Sequence, residues 1–110
     1  MPHLNIYQYE DKDIKISMDL YFNEQDQLIF DGYDIGRKVL QIRGRSDYEY
    51  KYTIAPDDVQ KLAELLRVEY SDRKGLLQAI KDKFGGNEAY SNFGAFMDQN
   101  GVAYQVFMWG

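Results

Sequence analysis

The sequence predicts an α+β domain, with an antiparallel or mixed sheet from the N-terminal half and a C-terminal strand, and three helices packed on one face. Three observations point there. Apolar and polar residues alternate at period two through much of the first 54 positions. From Pro56 the apolar residues recur at helical spacing instead. A last stretch, 102–109, returns to strand-like, aromatic-rich sequence. Runs of strands followed by runs of helices argue for α+β rather than alternating α/β architecture. At 110 residues and 45% hydrophobic content the chain can fill one core, so residues 1–110 are read as a single domain.

The elements follow in order. Residues 4–9 form a first strand, ended by the polar turn Glu10–Asp13. Residues 14–22 give the clearest strand: Ile14, Ile16, Met18, Leu20 and Phe22 fall on one face, and Lys15, Ser17, Asp19 and Tyr21 on the other. Asn23-Glu24-Gln25-Asp26 is a turn cluster, and residues 28–34 return as the hairpin partner. Here Leu28 and Phe30 oppose Asp31 and Tyr33. Residues 35–42 are ambiguous. Ile35, Val39 and Ile42 have helical spacing, but the segment is short and flanked by Gly36 and Gly44, so it is read as a strand or irregular link. Residues 46–54 form a strand with Tyr48, Tyr50, Tyr52 and Ile54 facing inward and Asp47, Glu49 and Lys51 outward.

Pro56 suits a first helical position, and Asp57 and Asp58 suit the positive end of the helix dipole, so a helix is expected near 56–67. Ser71 can cap a second, near 72–84, that stops at Gly85. Asn87 can cap a third, near 88–99, that stops at Gly101. The 102–109 strand is partly apolar on both faces, as a central strand would be.

Composition narrows the function. There is no cysteine, which removes disulfides and thiolate metal sites. The first ten residues lack the basic and apolar segments of a secretory signal, and no apolar run approaches the ~20 residues of a membrane helix. A cytoplasmic protein with no membrane contact is expected. Residues 1–36 hold eight acids against two bases, while residues 37–54 hold five bases against two acids. An acidic first third disfavours nucleic acid and favours a basic protein partner, although acid also simply keeps small domains soluble.

No catalytic constellation stands out. His3 is the sole histidine and lies near a terminus. Glu10-Asp11-Lys12-Asp13 lacks the ligand spacing of a calcium loop and reads as a turn. Asp31-Gly32-Tyr33-Asp34-Ile35-Gly36 lacks the lysine of a phosphate loop. Asp31 with Asp34, or Asp47 with Glu49, could be set as an acid–base pair for glycoside hydrolysis, but such pairs are common on acidic surfaces. No enzyme, cofactor or metal is expected. The shared parity of three strands instead assigns Asp19, Tyr21, Asp31, Tyr33, Asp47 and Glu49 to one open, partner-binding face. Tyrosine adds contact area with few rotatable bonds, although Tyr21 and Tyr33 could equally stiffen the hairpin.

One further pattern bears on function. Ser46-Asp47-Tyr48-Glu49-Tyr50-Lys51-Tyr52-Thr53-Ile54 is followed by an acid-capped helix with Leu62, Leu65 and Leu66, and then by Leu76-Leu77 through Phe84-Gly85-Gly86. With Phe93, Phe96 and the final aromatic strand, this order resembles small bacterial α+β immunity proteins encoded beside polymorphic toxins, over roughly residues 28–109. The resemblance implies a protein that binds and blocks a toxin delivered by a neighbouring cell. It transfers no site residue, because the binding residues of such proteins vary with the toxin. The expectation is therefore an immunity or antitoxin protein that acts by stoichiometric binding. The alternative is a small non-catalytic scaffold or regulatory module assembling through a sheet edge.

Overall fold

A computed structural model describes residues 2–109; Met1 and Gly110, the ends of the expected domain, lie outside the described residues. Five strands form one sheet in the order β1-β2-β3-β4-β5, every neighbouring pair antiparallel. They are β1 (His3–Glu10), β2 (Lys15–Phe22), β3 (Leu28–Ile35), β4 (Asp47–Ile54) and β5 (Gln105–Trp109). Helix α1 (Arg37–Arg43) joins β3 to β4, and α2 (Pro56–Leu66), α3 (Arg73–Phe84) and α4 (Ala89–Gln99) join β4 to β5.

The first turns are made by side chains that imitate backbone. Asp11 Oδ1 accepts hydrogen bonds from the amides of Asp13 (2.7 Å) and Ile14 (2.9 Å), which closes the β1–β2 hairpin. These amide bonds, foremost that from Asp13, hold the Asp11 carboxyl below its usual range. Asn23 Oδ1 does the same for β2–β3, accepting from Gln25 and Gln27 at 3.0 Å each. Both acidic or polar runs are thus turn-formers.

Period-two alternation then delivers Ile16, Met18, Leu20, Phe22, Leu28, Phe30, Tyr50, Tyr52 and Ile54 to the face under α2, α3 and α4, where all are buried. Val59, Leu62, Leu76, Leu77, Ile80, Phe93 and Met97 meet them from the helices. Tyr52 stacks on Tyr90 of α4 with ring centroids 4.0 Å apart, and its hydroxyl donates to the Tyr90 carbonyl at 3.0 Å. Phe30 packs against Phe93 at 5.8 Å. These aromatic contacts, each worth ~0.5–1.5 kcal/mol beyond area burial, pin α4 across β3 and β4.

Helix α1 corrects the expected strand or link over 35–42. Ile35 belongs to β3, Ile42 is exposed, and Val39 is the one buried residue of this seven-residue helix. The spacing that suggested a helix was therefore coincidental. The usable signal was Gly44, which takes the left-handed conformation (φ 78°) and returns its N–H to the Leu40 carbonyl at 2.9 Å, ending the helix.

The caps of the later helices also shift. Asp72, not Ser71, caps α3, accepting from the Gly75 amide at 3.0 Å. Helix α4 starts after Glu88 without a side-chain cap, so Asn87 does not serve as one. The last strand is shorter than 102–109 and lies at the sheet's edge, not its centre. Val106 and Met108 stand on the helix side of the sheet yet remain more than half exposed. Helix coverage stops short of β5, which is why its two apolar faces imitated a central strand.

Candidate protein-binding face

Opposite the helices the sheet is unroofed. Its antiparallel register aligns side chains in rows across the strands. One row runs Asn5, Asp19, Asp31, Lys51, Phe107. The next runs Gln8, Ser17, Tyr33, Glu49, Trp109. Tyr21 and Asp47 lie in the outer rows, opposite Ile29 and Ile35 respectively. All six residues expected at the binding face share this surface. Tyr33 is exposed, and the other five are half-buried.

Each carboxylate has a different setting. Asp19 is held by polar neighbours from β1: Asn5 Nδ2 donates to its Oδ1 at 3.1 Å, and His3 Nε2 lies 3.4 Å from the same oxygen. His3 also stacks on Tyr21, with centroids 5.6 Å apart and planes 6° from parallel. Asp47 Oδ2 accepts from the Tyr33 hydroxyl at 3.3 Å. Burial first, then the carboxylate charge of Asp47, pushes the Tyr33 phenol above its usual value and keeps it a neutral donor.

Asp31 is the centre of the face and its least satisfied member. Asp19 lies directly opposite on one side and Lys51 on the other. Its Oδ1 is closed off from solvent and has no hydrogen-bond partner among the described residues. Burial, followed by the charge of Glu49, raises its pKa to about 6, with Lys51 opposing the shift. A protonated Asp31 can donate to Glu49. At neutral pH the face is an anionic strip with one central lysine and flanking phenols.

Of the two carboxylate pairs considered for hydrolysis, one separates. Asp34 is on the helix side of β3, where the Tyr50 hydroxyl donates to its Oδ1 at 2.7 Å, whereas Asp31 faces the open side. Asp47 and Glu49 stay together, two residues apart on β4. On the helix side, a cleft of about 370 Å³ beside Asp34 is walled by Tyr48, Tyr50, Tyr90 and Arg43. Among the described residues no group of three or more His, Cys, Asp or Glu side chains is placed to hold a metal ion. No helix among them is long and apolar enough to cross a membrane.

The basic 37–45 segment is largely engaged within the molecule. Arg37 pairs with Asp13 at 3.0 Å, Arg43 lies 4.0 Å over the Tyr48 ring, and Arg45 lies 4.6 Å over Trp109. Sequence parity did not reveal Phe107 and Trp109 as members of the open face. Their assignment needs the β4–β5 register, which pairs Lys51 with Phe107 and Glu49 with Trp109. The chain matches no protein-family model, no curated protein and no solved structure.

Proposed function

We propose that this protein is an immunity-type antitoxin that works in the cytoplasm by stoichiometric binding. Its open sheet face docks on a basic toxin domain, such as a nuclease, and occludes it. The observation that carries this reading is the unroofed face itself. Three adjacent strands gather Asp19, Asp31, Asp47 and Glu49 with Tyr21 and Tyr33 on the side away from α2, α3 and α4. Carboxylates on such a face steer a basic partner, and tyrosines supply rigid contact area. Blocking another protein's active site asks for no catalytic residue in the blocker. A standard interface of ~1,200–2,000 Å² would engage most of the face. The resemblance over residues 28–109 supports the same reading.

The test is co-production in one bacterial cell with the toxin domain encoded beside this gene. Growth should be rescued by the wild-type chain and lost with the Asp31→Lys/Glu49→Lys double variant. Rescue by the double variant as complete as by wild type would reject the face. The second reading, a scaffold assembling through a sheet edge, is favoured by one specific feature: the apolar β5.

A further inference from the structure

The two outer strands of the sheet, β1 and β5, are built differently. β1 sets His3, Asn5, Gln8 and Glu10 along the open side and slips register between Asn5 and Tyr7. Charge and a bulge are devices that stop an edge from pairing with another chain. β5 has neither. Gln105-Val106-Phe107-Met108-Trp109 holds no charge and no proline, and its pairing with β4 runs without a register shift. Val106, Phe107, Met108 and Trp109 are 53%, 47%, 57% and 45% exposed. Phe107 and Trp109 stand on the open side, and Val106 and Met108 on the helix side.

We propose that the occupant of this edge is β5 of a second copy of the chain. The two strands run antiparallel about a two-fold axis through Phe107 and join two sheets into one of ten strands. The five-residue sequence is self-complementary in that register. Phe107 meets its own mate, Val106 meets Met108 on the helix side, and Gln105 meets Trp109 on the open side. Charge permits the contact even though each copy carries a net charge of −5. On the open side of the sheet the acids nearest the axis, Glu49 of each copy, are at least three strand spacings apart, about 14 Å, which exceeds the ~8 Å Debye length at physiological salt. Area also fits. Four large side chains, each about half exposed, offer roughly 400 Å² per copy. Edge pairing covers only part of that surface, so with the main chain the total stays below about 1,000 Å², the size of a weak and reversible interface. Main-chain hydrogen bonds then add to affinity as in other strand additions. The bulged β1 edges face outward, so the assembly closes at two copies. The pairing is independent of what docks on the open face.

Sedimentation equilibrium of the full chain, from ~1 to ~500 µM at physiological salt, tests it. A reversible monomer–dimer equilibrium is expected. Phe107→Lys, which opposes two lysines on the axis, should weaken it at least about tenfold. Met108→Lys should do the same if Phe107→Lys fails to fold by circular dichroism. Tyr9→Lys on β1 and Tyr33→Ala on the open face should leave it intact. A monomer at the highest concentration overturns the proposal. So does a dimer indifferent to both β5 variants, a dimer lost with Tyr9→Lys, or an open-ended assembly. Toxin is absent from the measurement, so its outcome is separate from that of the binding face.

Discussion

The two faces of β2, β3 and β4 are made from alternate residues of the same strands and are put to different use. On the helix side Leu20, Leu28, Phe30 and Ile54 are fully buried, and the hydroxyls of Tyr50 and Tyr52 find Asp34 and the Tyr90 carbonyl. On the open side Asp31 has an unpartnered buried oxygen, and Asp19 and Asp31 face one another directly. Like charges opposite each other destabilise a sheet. The helix side is therefore arranged for stability, whereas the open side gives some of it up. Arrangements of that kind concentrate at functional sites.

The sharpest break between the faces should come from the core. Leu20→Ala is expected to cost ~2–5 kcal/mol and Phe93→Ala ~3–5 kcal/mol, read from denaturant melts. Losses below about 1 kcal/mol at both sites would contradict the assignment of faces. Gly32→Ala comes next. Gly32 lies on the helix side of β3 under the Tyr50 ring, and an added Cβ would overlap the ring's edge atoms. Tyr50 would have to shift from Asp34, at a cost of ~1–3 kcal/mol. A neutral effect would mean that the ring is not seated there.

Much of this was legible in the chain, and what was not has physical causes. The core side of β2 and β4 was readable because one face is buried and the period is two. The helix starts at Pro56 and the stop at Gly85 were readable because local chemistry makes them. Helix α1 was not, since Val39 alone anchors it and Ile42 points to solvent. The edge position of β5 was hidden because an uncovered strand and a doubly covered one can both be apolar on two sides. Asp19, Tyr21, Asp31, Tyr33, Asp47 and Glu49 could be grouped from parity. Phe107 and Trp109 could not, because their row depends on long-range pairing.

Asp31→Asn should have a smaller effect, and of opposite sign. Its pKa is raised to about 6 from the model-peptide 3.8, so the folded state holds the proton more tightly than the unfolded chain. The stability that this proton brings is complete below about pH 4 and is lost as pH rises through about 6. Asn should therefore be more stable than wild type at pH 7 by about 1 kcal/mol, after discounting for the group's partial exposure. The gap should close by pH 4.5 in paired denaturant melts. A variant less stable than wild type at pH 7 would show that Lys51 outweighs burial and the neighbouring acids.

Asp31→Lys with Glu49→Lys should have its largest effect on binding, read on protein whose fold is checked by circular dichroism. The decisive measurement is the association rate of the purified chain with the basic toxin domain that the proposed function requires, followed by stopped flow at low and at physiological salt. The double variant should associate at least about tenfold more slowly at low salt, with the difference narrowing as salt screens the face. Association rates equal to wild type at both salt concentrations would place the toxin's docking site elsewhere and contradict the open face as the binding surface.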